Sequence, residues 1–511
     1  MANLENKGSR VWKNYHESVA EPVQNFYVPI NDKNGTYLDK YNFMSKSLGE
    51  LIGDAVIRNN TIKAVGGSWA LSRIAYDRQT IIETDHLNLR WTPIAQDVNT
   101  AIFSRPDNLV FAQCGTQIKS LNIYLRDRKK SLKAHGASNG QGVAGAIACG
   151  THGSAYDFGS IHDSVVGLHI IVNKDKSYYI QKKSRQVINE TFATNINSTI
   201  INDDDLFNAA VVSMGCFGFV HGVMIEVEDW FMLKNYSLDI PQDQAKELIN
   251  NLNFETSAFQ IPEMAGKKPY HFKIYFNPFK QQIPPKVELF YKESGPDKYV
   301  RPPMDDITTY HKDTLSIIAS LSDNLPATDA LITNLVFKNI FKKEIKGESA
   351  LLIDTFGSTT TKGKTFSTGI GVDHKDSSRA LEALFELAEE RGSIPAIFVM
   401  RFVKKGSAMM AFTRFPITCV LEIDAVRNPR VEKFITFIPD KLRAKGIPFT
   451  FHWGKDNPMD KAMVAEMYGA DYDHWVQQKQ KIMTSPEAAV WASDYAVSLG
   501  LGAWVGGGVI D

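Results

Sequence analysis

Residues 136–153 of this chain read GASNGQGVAGAIACGTHG, a run of glycines and other small residues. Glycine adopts positive φ without steric cost and lets another group lie on the backbone, so the run indicates a loop moulded around a ligand. Free N–H groups in such a loop form an electropositive nest suited to a pyrophosphate. A strand-like run follows at residues 165–172. In a Rossmann fold the glycines open a helix instead, so the pattern predicts another mode of dinucleotide binding.

The composition is that of an ordinary globular protein. Of 511 residues, 43% are hydrophobic and 22% charged, and a chain of this length is expected to form two domains. Its 57 basic and 57 acidic side chains cancel, which argues against nucleic acid as a partner. The four cysteines show no CxxC spacing, so we predict no metal site. The N-terminus lacks signal-peptide features and no apolar run reaches the ~20 residues of a membrane span, which predicts a cytoplasmic protein.

The chain divides into three parts by pattern. Residues 1–228 alternate short helix and strand signals. Residues 229–448 contain longer strand candidates, such as 397–403 and 418–423, and proline pairs at 284–285 and 302–303 that mark loops. The remaining residues, 449–511, are rich in aromatic helical material. We expect a nucleotide-binding domain at 1–228, a cap domain that binds substrate at 229–448, and a C-terminal segment at 449–511 that returns to the first domain.

Four blocks resemble a known family, the FAD-linked oxidases and dehydrogenases of the vanillyl-alcohol-oxidase type. Residues 65–70 (VGGSWA) are similar to its first flavin loop, and residues 141–153 to its central loop. Residues 215–227 resemble its closing Gly-x-x-Gly strand entry, and residues 452–455 (HWGK) a C-terminal element. The nearest branch is that of alditol oxidases, aldonolactone oxidoreductases and flavin-linked cholesterol oxidases. The resemblance assigns these residues to the FAD site: Gly66, Gly67, Ser68, Trp69, Ala70, Gln141, Gly142, Gly145, Ala146, Cys149, Gly150, Thr151, His152, Gly153, Gly215, Gly218 and Val220.

The resemblance implies an α+β fold, in which a two-subdomain PCMH-type FAD-binding domain carries an α+β cap domain with an antiparallel sheet. Many members attach the flavin through a histidine in the first loop. Residues 67–70 contain no histidine, and neither Cys114 nor Cys149 has a strong case as a linker, so we predict non-covalent FAD.

The same resemblance implies an FAD-dependent oxidase or dehydrogenase. Its substrate would be a small-molecule alcohol, sugar-like or sterol-like, that gives up a hydride from a CH–OH group, with oxygen as the predicted electron acceptor. Three alternatives stay open: a dehydrogenase with another acceptor, a flavin-binding protein without turnover, and a reductase fed by NADPH, similar to the cell-wall enolpyruvyl reductases.

Two residues of the HWGK element are candidates for the chemistry. Lys455 offers a positive charge that suits a developing anion, although it also fits a surface lysine beside Asp456. His452 titrates near neutral pH and is a candidate proton acceptor. It fits equally well a strand histidine hydrogen-bonded to backbone.

The cap domain offers two further candidates. Arg401 lies in an apolar strand and needs a partner if its head points inward. In alditol-oxidase relatives a Glu-x-Arg pair on a cap strand contacts the substrate; Arg401 is similar to the arginine, but Val399 occupies the glutamate position. That departure predicts a less hydroxylated substrate. Glu422 is a candidate for the missing carboxylate, although alternation also allows both charged residues to lie on a solvent-exposed face.

Overall fold

The structure is a computed structural model that describes residues 4–278, 283–301, 333–334, 337, 344–357, 363, 365–392 and 394–504. In chain order its strands are β1 (Leu4–Asn6), β2 (Arg10–Lys13), β3 (Ala20–Val23), β4 (Asn25–Pro29), β5 (Lys63–Val65), β6 (Thr80–Glu83), β7 (Arg90–Trp91), β8 (Leu109–Gln113), β9 (Lys130–Ser131), β10 (Val165–Asn173), β11 (Lys176–Gln181), β12 (Thr199–Asn202), β13 (Phe219–Glu226), β14 (Glu228–Asp229), β15 (Phe231–Asp239), β16 (His271–Phe276), β17 (Lys286–Ser294), β18 (Ile345–Leu351), β19 (Thr365–Asp373), β20 (Ala396–Lys404), β21 (Ile417–Val426) and β22 (Thr450–Phe451). Its α-helices are α1 (Tyr37–Arg58), α2 (Ile118–Arg126), α3 (Val143–Ala148), α4 (Glu190–Asn195), α5 (Asp204–Ala210), α6 (Gln242–Asn251), α7 (Leu352–Thr355), α8 (Ser377–Arg391), α9 (Pro429–Ala444), α10 (Lys461–Tyr468), α11 (Ala470–Lys479), α12 (Ser485–Ala489) and α13 (Asp494–Ser498).

Among the described residues, three larger sheets and two two-stranded pairs, β14-β9 and β2-β3, organise these elements. A four-stranded sheet has the order β1-β4-β6-β5, and a six-stranded sheet the order β12-β11-β10-β13-β8-β7. The cap sheet has eight strands in the order β18-β15-β17-β16-β20-β21-β19-β22, and its pairs are antiparallel. The predicted α+β class with an antiparallel cap sheet is confirmed.

The glycine-rich stretch departs from the prediction in one respect. Its glycines open the short helix α3, for which Gly142 is the N-cap, and the strand β10 begins only at Val165. The strand predicted at 165–172 is confirmed, but the helix inside the glycine-rich stretch was not predicted. It forms because Gly145 and the alanines around it accept helical backbone angles. β10 nevertheless pairs antiparallel with β11 and β13, so the sheet is not the parallel sheet of a Rossmann fold.

Helix α1 fixes the six-stranded sheet from one side. It begins with a capping box in which the side chains of Thr36 and Asp39 cap each other's backbone N–H groups. Met44, Leu48 and Ile52 recur at four-residue spacing on its buried face, so the helix packs through one apolar stripe.

The cap sheet has one apolar and one polar face. On the apolar face, Phe398 of β20 stacks on Phe385 of α8, with ring centroids 5.8 Å apart. Side chains alternate along a strand, so Val399 and Arg401 of β20 point to the opposite face. Glu422 of β21 lies directly across from Val399 and shares that face. This register brings charged side chains from separate strands together.

The C-terminal helices contact the N-terminal part of the chain. Trp475 Nε1 of α11 donates to the carbonyl of Ala209 at 3.0 Å, and the N–H of Ile62 donates to the carbonyl of Val490 at 2.7 Å. In the same segment, β22 pairs with β19 of the cap sheet. The domain boundaries after residues 228 and 448 stay a prediction. Within the residues described, no helix has both the length and the apolarity needed to cross a membrane.

Candidate active site

A cleft lies between the glycine-bearing loops and the polar face of the cap sheet. Nearly all predicted site residues line it, which brings together parts of the chain more than 300 residues apart. The predicted residues in its lining are Gly66, Gly67, Ser68, Trp69, Ala70, Gln141, Gly142, Gly145, Ala146, Cys149, Thr151, His152, Gly215, Gly218, Val220, Arg401, Glu422, His452 and Lys455.

Gly150 and Gly153 are the two predicted residues outside the lining, and both shape the central loop. Gly150 has a φ of +71°, a conformation that other residues rarely adopt. A Cβ at Gly153 would lie 2.6 Å from the carbonyl oxygen of His135. Their contribution is to the path of the backbone.

The first loop and the central loop pack backbone against backbone. A Cβ on Gly67 would lie 2.4 Å from the carbonyl oxygen of Gly140, and a Cβ on Gly140 would lie 2.5 Å from the indole of Trp69. Ser68, which lies between Gly67 and Trp69 in the sequence, has a φ of +56°. Glycine is therefore required at both positions by the close approach of the two loops.

The N-terminal hairpin supports the first loop, which the sequence did not reveal. The Tyr15 ring stacks on Trp69 with centroids 4.3 Å apart, and Asn14 Nδ2 donates to the carbonyl of Ala70 at 2.8 Å. His16, which also lines the cleft, lies edge-on to Trp69 at 5.2 Å. No local motif marks these residues, because the contact forms only when the hairpin folds over the loop.

On the cleft side, the first loop has unused backbone donors, and the central loop has an unpaired acceptor and open space. Within the described residues, no backbone hydrogen bond uses the N–H groups of residues 66–70. Gln141 keeps a buried side-chain oxygen without a partner, and a Cβ at Gly145 would meet no atom within 4 Å. Exposed backbone donors beside glycines fit a large ligand with phosphate groups, as the FAD prediction requires.

The closing strand entry is also shaped by positive φ. Met214 and Gly215 have φ values of +50° and +76°, and Gly218 has a φ of +107°. A Cβ at Gly218 would lie 2.9 Å from the carbonyl oxygen of Ile171, so the turn packs closely on β10. The turn places Val220, the second residue of β13, in the lining of the cleft.

On the cap side, Glu422 is the centre of a buried charge cluster. Its side chain is 1% exposed, and its Oε2 lies 3.0 Å from Arg401 Nε. Lys455 Nζ donates to its Oε1, and His152 Nε2 lies 3.6 Å from the same oxygen. Burial by itself raises the pKa of Glu422, but the Arg401 and Lys455 cations hold that pKa well below its usual range. The carboxylate is therefore ionised and fixes both cations.

The sheet register explains how this cluster forms. Val399 holds the position where the resemblance expects a glutamate, and Glu422 lies directly opposite it on the neighbouring strand. On its other side Glu422 faces Gly369 of β19, where a Cβ would lie 3.3 Å from His452 Cβ. A carboxylate thus stands beside Arg401 although the strand of Arg401 lacks one. The less hydroxylated substrate was expected because position 399 lacks a glutamate. Since Glu422 supplies a carboxylate at the same place, that reason no longer applies.

His452 is held in one tautomer by the backbone. Its Nδ1 accepts a hydrogen bond from the N–H of Gly454 at 3.0 Å, and its own N–H donates to the carbonyl of Gly369 at 2.9 Å. Burial, with the nearby His152 and Lys455, sets its pKa well below 6.5, so the ring is neutral. Nδ1 is then an acceptor and Nε2 carries the hydrogen. This geometry suits a hydrogen-bond donor, and the proton-acceptor role stays a prediction.

Sequence reasoning missed two charged residues of the lining. Asp424 lies two positions after Glu422 and shares its face of β21, a signal that alternation makes available. Its Oδ1 accepts a hydrogen bond from Ser367 Oγ at 2.7 Å. Lys63 of β5 is the other, and nothing in its local sequence marks it. In the described parts of the chain, no group of three His, Cys, Asp or Glu side chains is placed to hold a metal ion.

Comparison with known proteins gives relatives of one class. No protein-family model matches the chain. It is 20% identical over 426 residues to an L-gulono-1,4-lactone dehydrogenase of Mycobacterium tuberculosis, covering 82% of this chain and 87% of that one. It is 23% identical over 186 residues to a D-arabinono-1,4-lactone oxidase of Candida glabrata, covering 36% of this chain. That match spans 31% of the yeast relative, about a third of its length.

A solved structure shares the fold over almost the whole chain. The cholesterol oxidase of B. sterolicum superposes with a TM-score of 0.72 at 14% identity, covering 98% of each chain. These findings confirm the predicted resemblance to FAD-linked oxidoreductases of the aldonolactone oxidoreductase and cholesterol oxidase branch. The predicted cofactor, FAD, is consistent with relatives of this class.

Proposed function

We propose that this chain is an FAD-dependent oxidoreductase that oxidises a CH–OH group of a small, sugar-like substrate. The observation that carries the proposal is the buried cluster of Arg401, Glu422 and Lys455, which lines the same cleft as the glycine-rich loops. Charged groups at the cap side suit a substrate with several hydroxyl or carbonyl oxygens better than an apolar sterol. The relatives named for aldonolactones support the same substrate class.

The glycine loops would hold the cofactor. The backbone N–H groups of residues 66–70, the open face beside Gly145 and the turn at Gly215 are the parts of the chain that fit FAD. FAD, when bound, supplies the two-electron acceptor chemistry, which no side chain of the chain can provide. Attachment is proposed to be non-covalent, since residues 67–70 contain no histidine.

The cap residues would position the substrate. Arg401 and Lys455 present positive charge to the substrate oxygen and stabilise negative charge that develops on it. Glu422 fixes both cations, so their orientation costs no rearrangement when the substrate arrives. Nε2 of His452 offers a further hydrogen bond to the same oxygen. The four side chains together orient the carbon that is oxidised and stabilise negative charge on its oxygen.

Substrate-dependent bleaching tests this proposal. The purified protein, loaded with FAD under anaerobic conditions, is mixed with L-gulono-1,4-lactone, D-arabinono-1,4-lactone, a sugar alcohol or cholesterol. We expect the visible flavin band to bleach with at least one lactone or sugar alcohol. If dithionite bleaches the bound flavin and no substrate does, the chain is a flavin-binding protein without turnover. Bleaching by NADPH alone would indicate a reductase.

Oxygen is the proposed electron acceptor, with a dehydrogenase as the second candidate because one relative over most of the chain is named a dehydrogenase. The substrate-reduced protein is exposed either to air or to a quinone or dye without oxygen. Rapid return of the flavin band in air supports an oxidase. Return only with the artificial acceptor supports a dehydrogenase. A cytoplasmic location is part of the same proposal.

A further inference from the structure

Lys63 is a buried cation on the cofactor side of the cleft. It is the first residue of β5, the strand that runs into the first glycine loop, and it is 4% exposed. Its Nζ donates to the carbonyl of Met214 at 2.7 Å, and its side chain lines the cleft. A long charged side chain in this position requires an explanation, because lysine is rarely buried without a partner of opposite charge.

The protein leaves most of this ammonium group unsatisfied. An ammonium has three N–H donors, and in the described part of the chain only the Met214 carbonyl accepts from Lys63. No carboxylate among the residues described lies within 4.0 Å of its Nζ. A buried charge is costly unless it is paired and hydrogen-bonded, so the arrangement favours an acceptor that arrives from outside the chain.

The surroundings of Lys63 point to an anion. Among the described residues that line the cleft and are numbered up to 220, Lys63 is the only one with a charged Lys, Arg, Asp or Glu side chain. The other charged residues of the lining, Arg401, Glu422, Asp424 and Lys455, belong to the cap side. A Cβ at Gly215 would lie 3.1 Å from Nζ, so the turn at Met214 and Gly215 brings its backbone directly to the ammonium. A single positive charge beside glycine-rich backbone forms a phosphate-binding environment.

We propose that Lys63 binds the diphosphate group of the dinucleotide and supplies the charge that the backbone N–H groups lack. The inference rests on the proposed FAD site and adds a binding residue to it. Sugar and ring hydroxyls accept hydrogen bonds from an ammonium but do not neutralise it, whereas a diphosphate does both. Lys63 would therefore discriminate between phosphorylated and unphosphorylated ligands.

Lys479 provides a matched comparison within the same chain. It is 2% exposed, and its Nζ donates to the carbonyls of Leu501 at 2.7 Å and Ala503 at 3.1 Å. Burial lowers the pKa of Lys479 to about 8. It is absent from the cleft lining. Both lysines are buried against backbone carbonyls, and only Lys63 faces the proposed ligand.

Binding measurements on the apoprotein test the inference without any need for turnover. The variants Lys63→Met, Lys63→Arg and Lys479→Met are titrated with FAD, ADP, adenosine and riboflavin by calorimetry. We expect Lys63→Met to weaken ADP and FAD binding by roughly 10- to 100-fold, as loss of a charge-assisted hydrogen bond implies. Adenosine and riboflavin binding should stay unchanged. Lys63→Arg should retain most of the ADP affinity, and Lys479→Met should lower stability and leave ADP affinity intact.

Several outcomes would overturn the inference. They are unchanged ADP affinity in folded Lys63→Met, an equal loss for adenosine and ADP, or failure of the wild-type apoprotein to bind both FAD and ADP. If Lys63→Met does not fold, the wild-type protein decides the matter. Its ADP affinity must fall with added salt while its adenosine affinity does not. FAD binding that depends on Lys63 in a protein without turnover would support this inference and contradict the proposed oxidation.

Discussion

The two sides of the cleft are lined by different kinds of group, backbone on one side and charged side chains on the other. The cofactor side is made of backbone: Gly67 and Gly140 let two loops touch, and Gly145 leaves open space. The cap side is made of charged side chains, with Glu422 held between Arg401 and Lys455. A backbone surface binds by shape and by N–H donors, whereas a cluster of charges binds by electrostatic complementarity. Substitutions on the two sides should therefore fail in different ways.

The largest effect is expected on the cap side, from Glu422→Gln. The variant removes the counter-charge that Arg401 and Lys455 share, so both cations lose an ion pair that orients them. We expect the rate of flavin reduction by the best substrate to fall by roughly 100- to 1,000-fold, with FAD affinity within a few-fold of wild type.

Glu288→Gln is the matched control for this variant. Glu288 lies buried on the same sheet face and its Oε2 is 2.5 Å from Lys273 Nζ, but it does not line the cleft. Both variants remove one partner of a buried ion pair, so both should lose stability in urea unfolding. Only Glu422→Gln should lose most of its activity. Equal activity in the two variants would contradict the role of the cluster.

The cofactor side was readable from sequence because its requirements are local. Close loop contact demands glycine at fixed positions, so residues such as Gly67 and Gly142 stand out in the printed sequence. Helix α3 was not predicted, because the small residues at 143–148 fit a loop and a helix equally well. On the cap side, the partnership of Arg401 and Glu422 was one of two possibilities until the strand register was known.

Other features were out of reach because they arise only in the folded chain. Lys63 has an ordinary strand sequence, and its burial depends on the turn at Met214, about 150 positions later in the printed sequence. His16 reaches the cleft only because the N-terminal hairpin folds over Trp69. The tautomer of His452 depends on the N–H of Gly454.

Intermediate effects are expected from two glycine variants on the cofactor side. In Gly67→Ala the added methyl would meet the Gly140 carbonyl at 2.4 Å, so the apoprotein should lose about 1–3 kcal/mol of unfolding free energy. In Gly145→Ala the methyl meets no protein atom within 4 Å, and alanine favours the helix α3.

Gly145→Ala should therefore leave the apoprotein as stable as wild type or more so, and weaken FAD binding by roughly 10- to 100-fold if the ligand lies against Gly145. Urea unfolding and FAD titration of both variants separate the two effects. Unchanged FAD affinity in Gly145→Ala would place the ligand elsewhere.

The smallest effect expected is on the pH dependence of stability. Buried histidines and the Glu422 carboxylate should contribute to it over different pH ranges. Burial lowers the pKa of His169 from 6.5 to about 3, and that of His135 to about 4. The unfolded chain therefore binds more protons than the folded chain below 6.5, and stability falls as the pH drops through that value. Glu422 also has a lowered pKa, but its contribution is lost only below 4.5.

Urea unfolding at about pH 7.5 and about pH 5.5 tests whether the histidines, and not Glu422, set the pH dependence in this range. The wild type should be less stable at the lower pH. His169→Gln should show a smaller difference between the two conditions, and Glu422→Gln the same difference as wild type. A wild-type stability that does not change over this range would contradict neutral buried histidines.

The most direct test of cofactor binding is to measure FAD bound to the purified protein and then precipitate the protein with acid. We expect a yellow protein that carries one FAD per chain, or takes it up on reconstitution, and releases the yellow colour into the supernatant. Colour in the precipitate would contradict non-covalent binding. The candidates for the attachment residue would then be His16 and His452, which line the cleft together with His152. A colourless protein that cannot be reconstituted with FAD would contradict the assignment of the cleft as an FAD site.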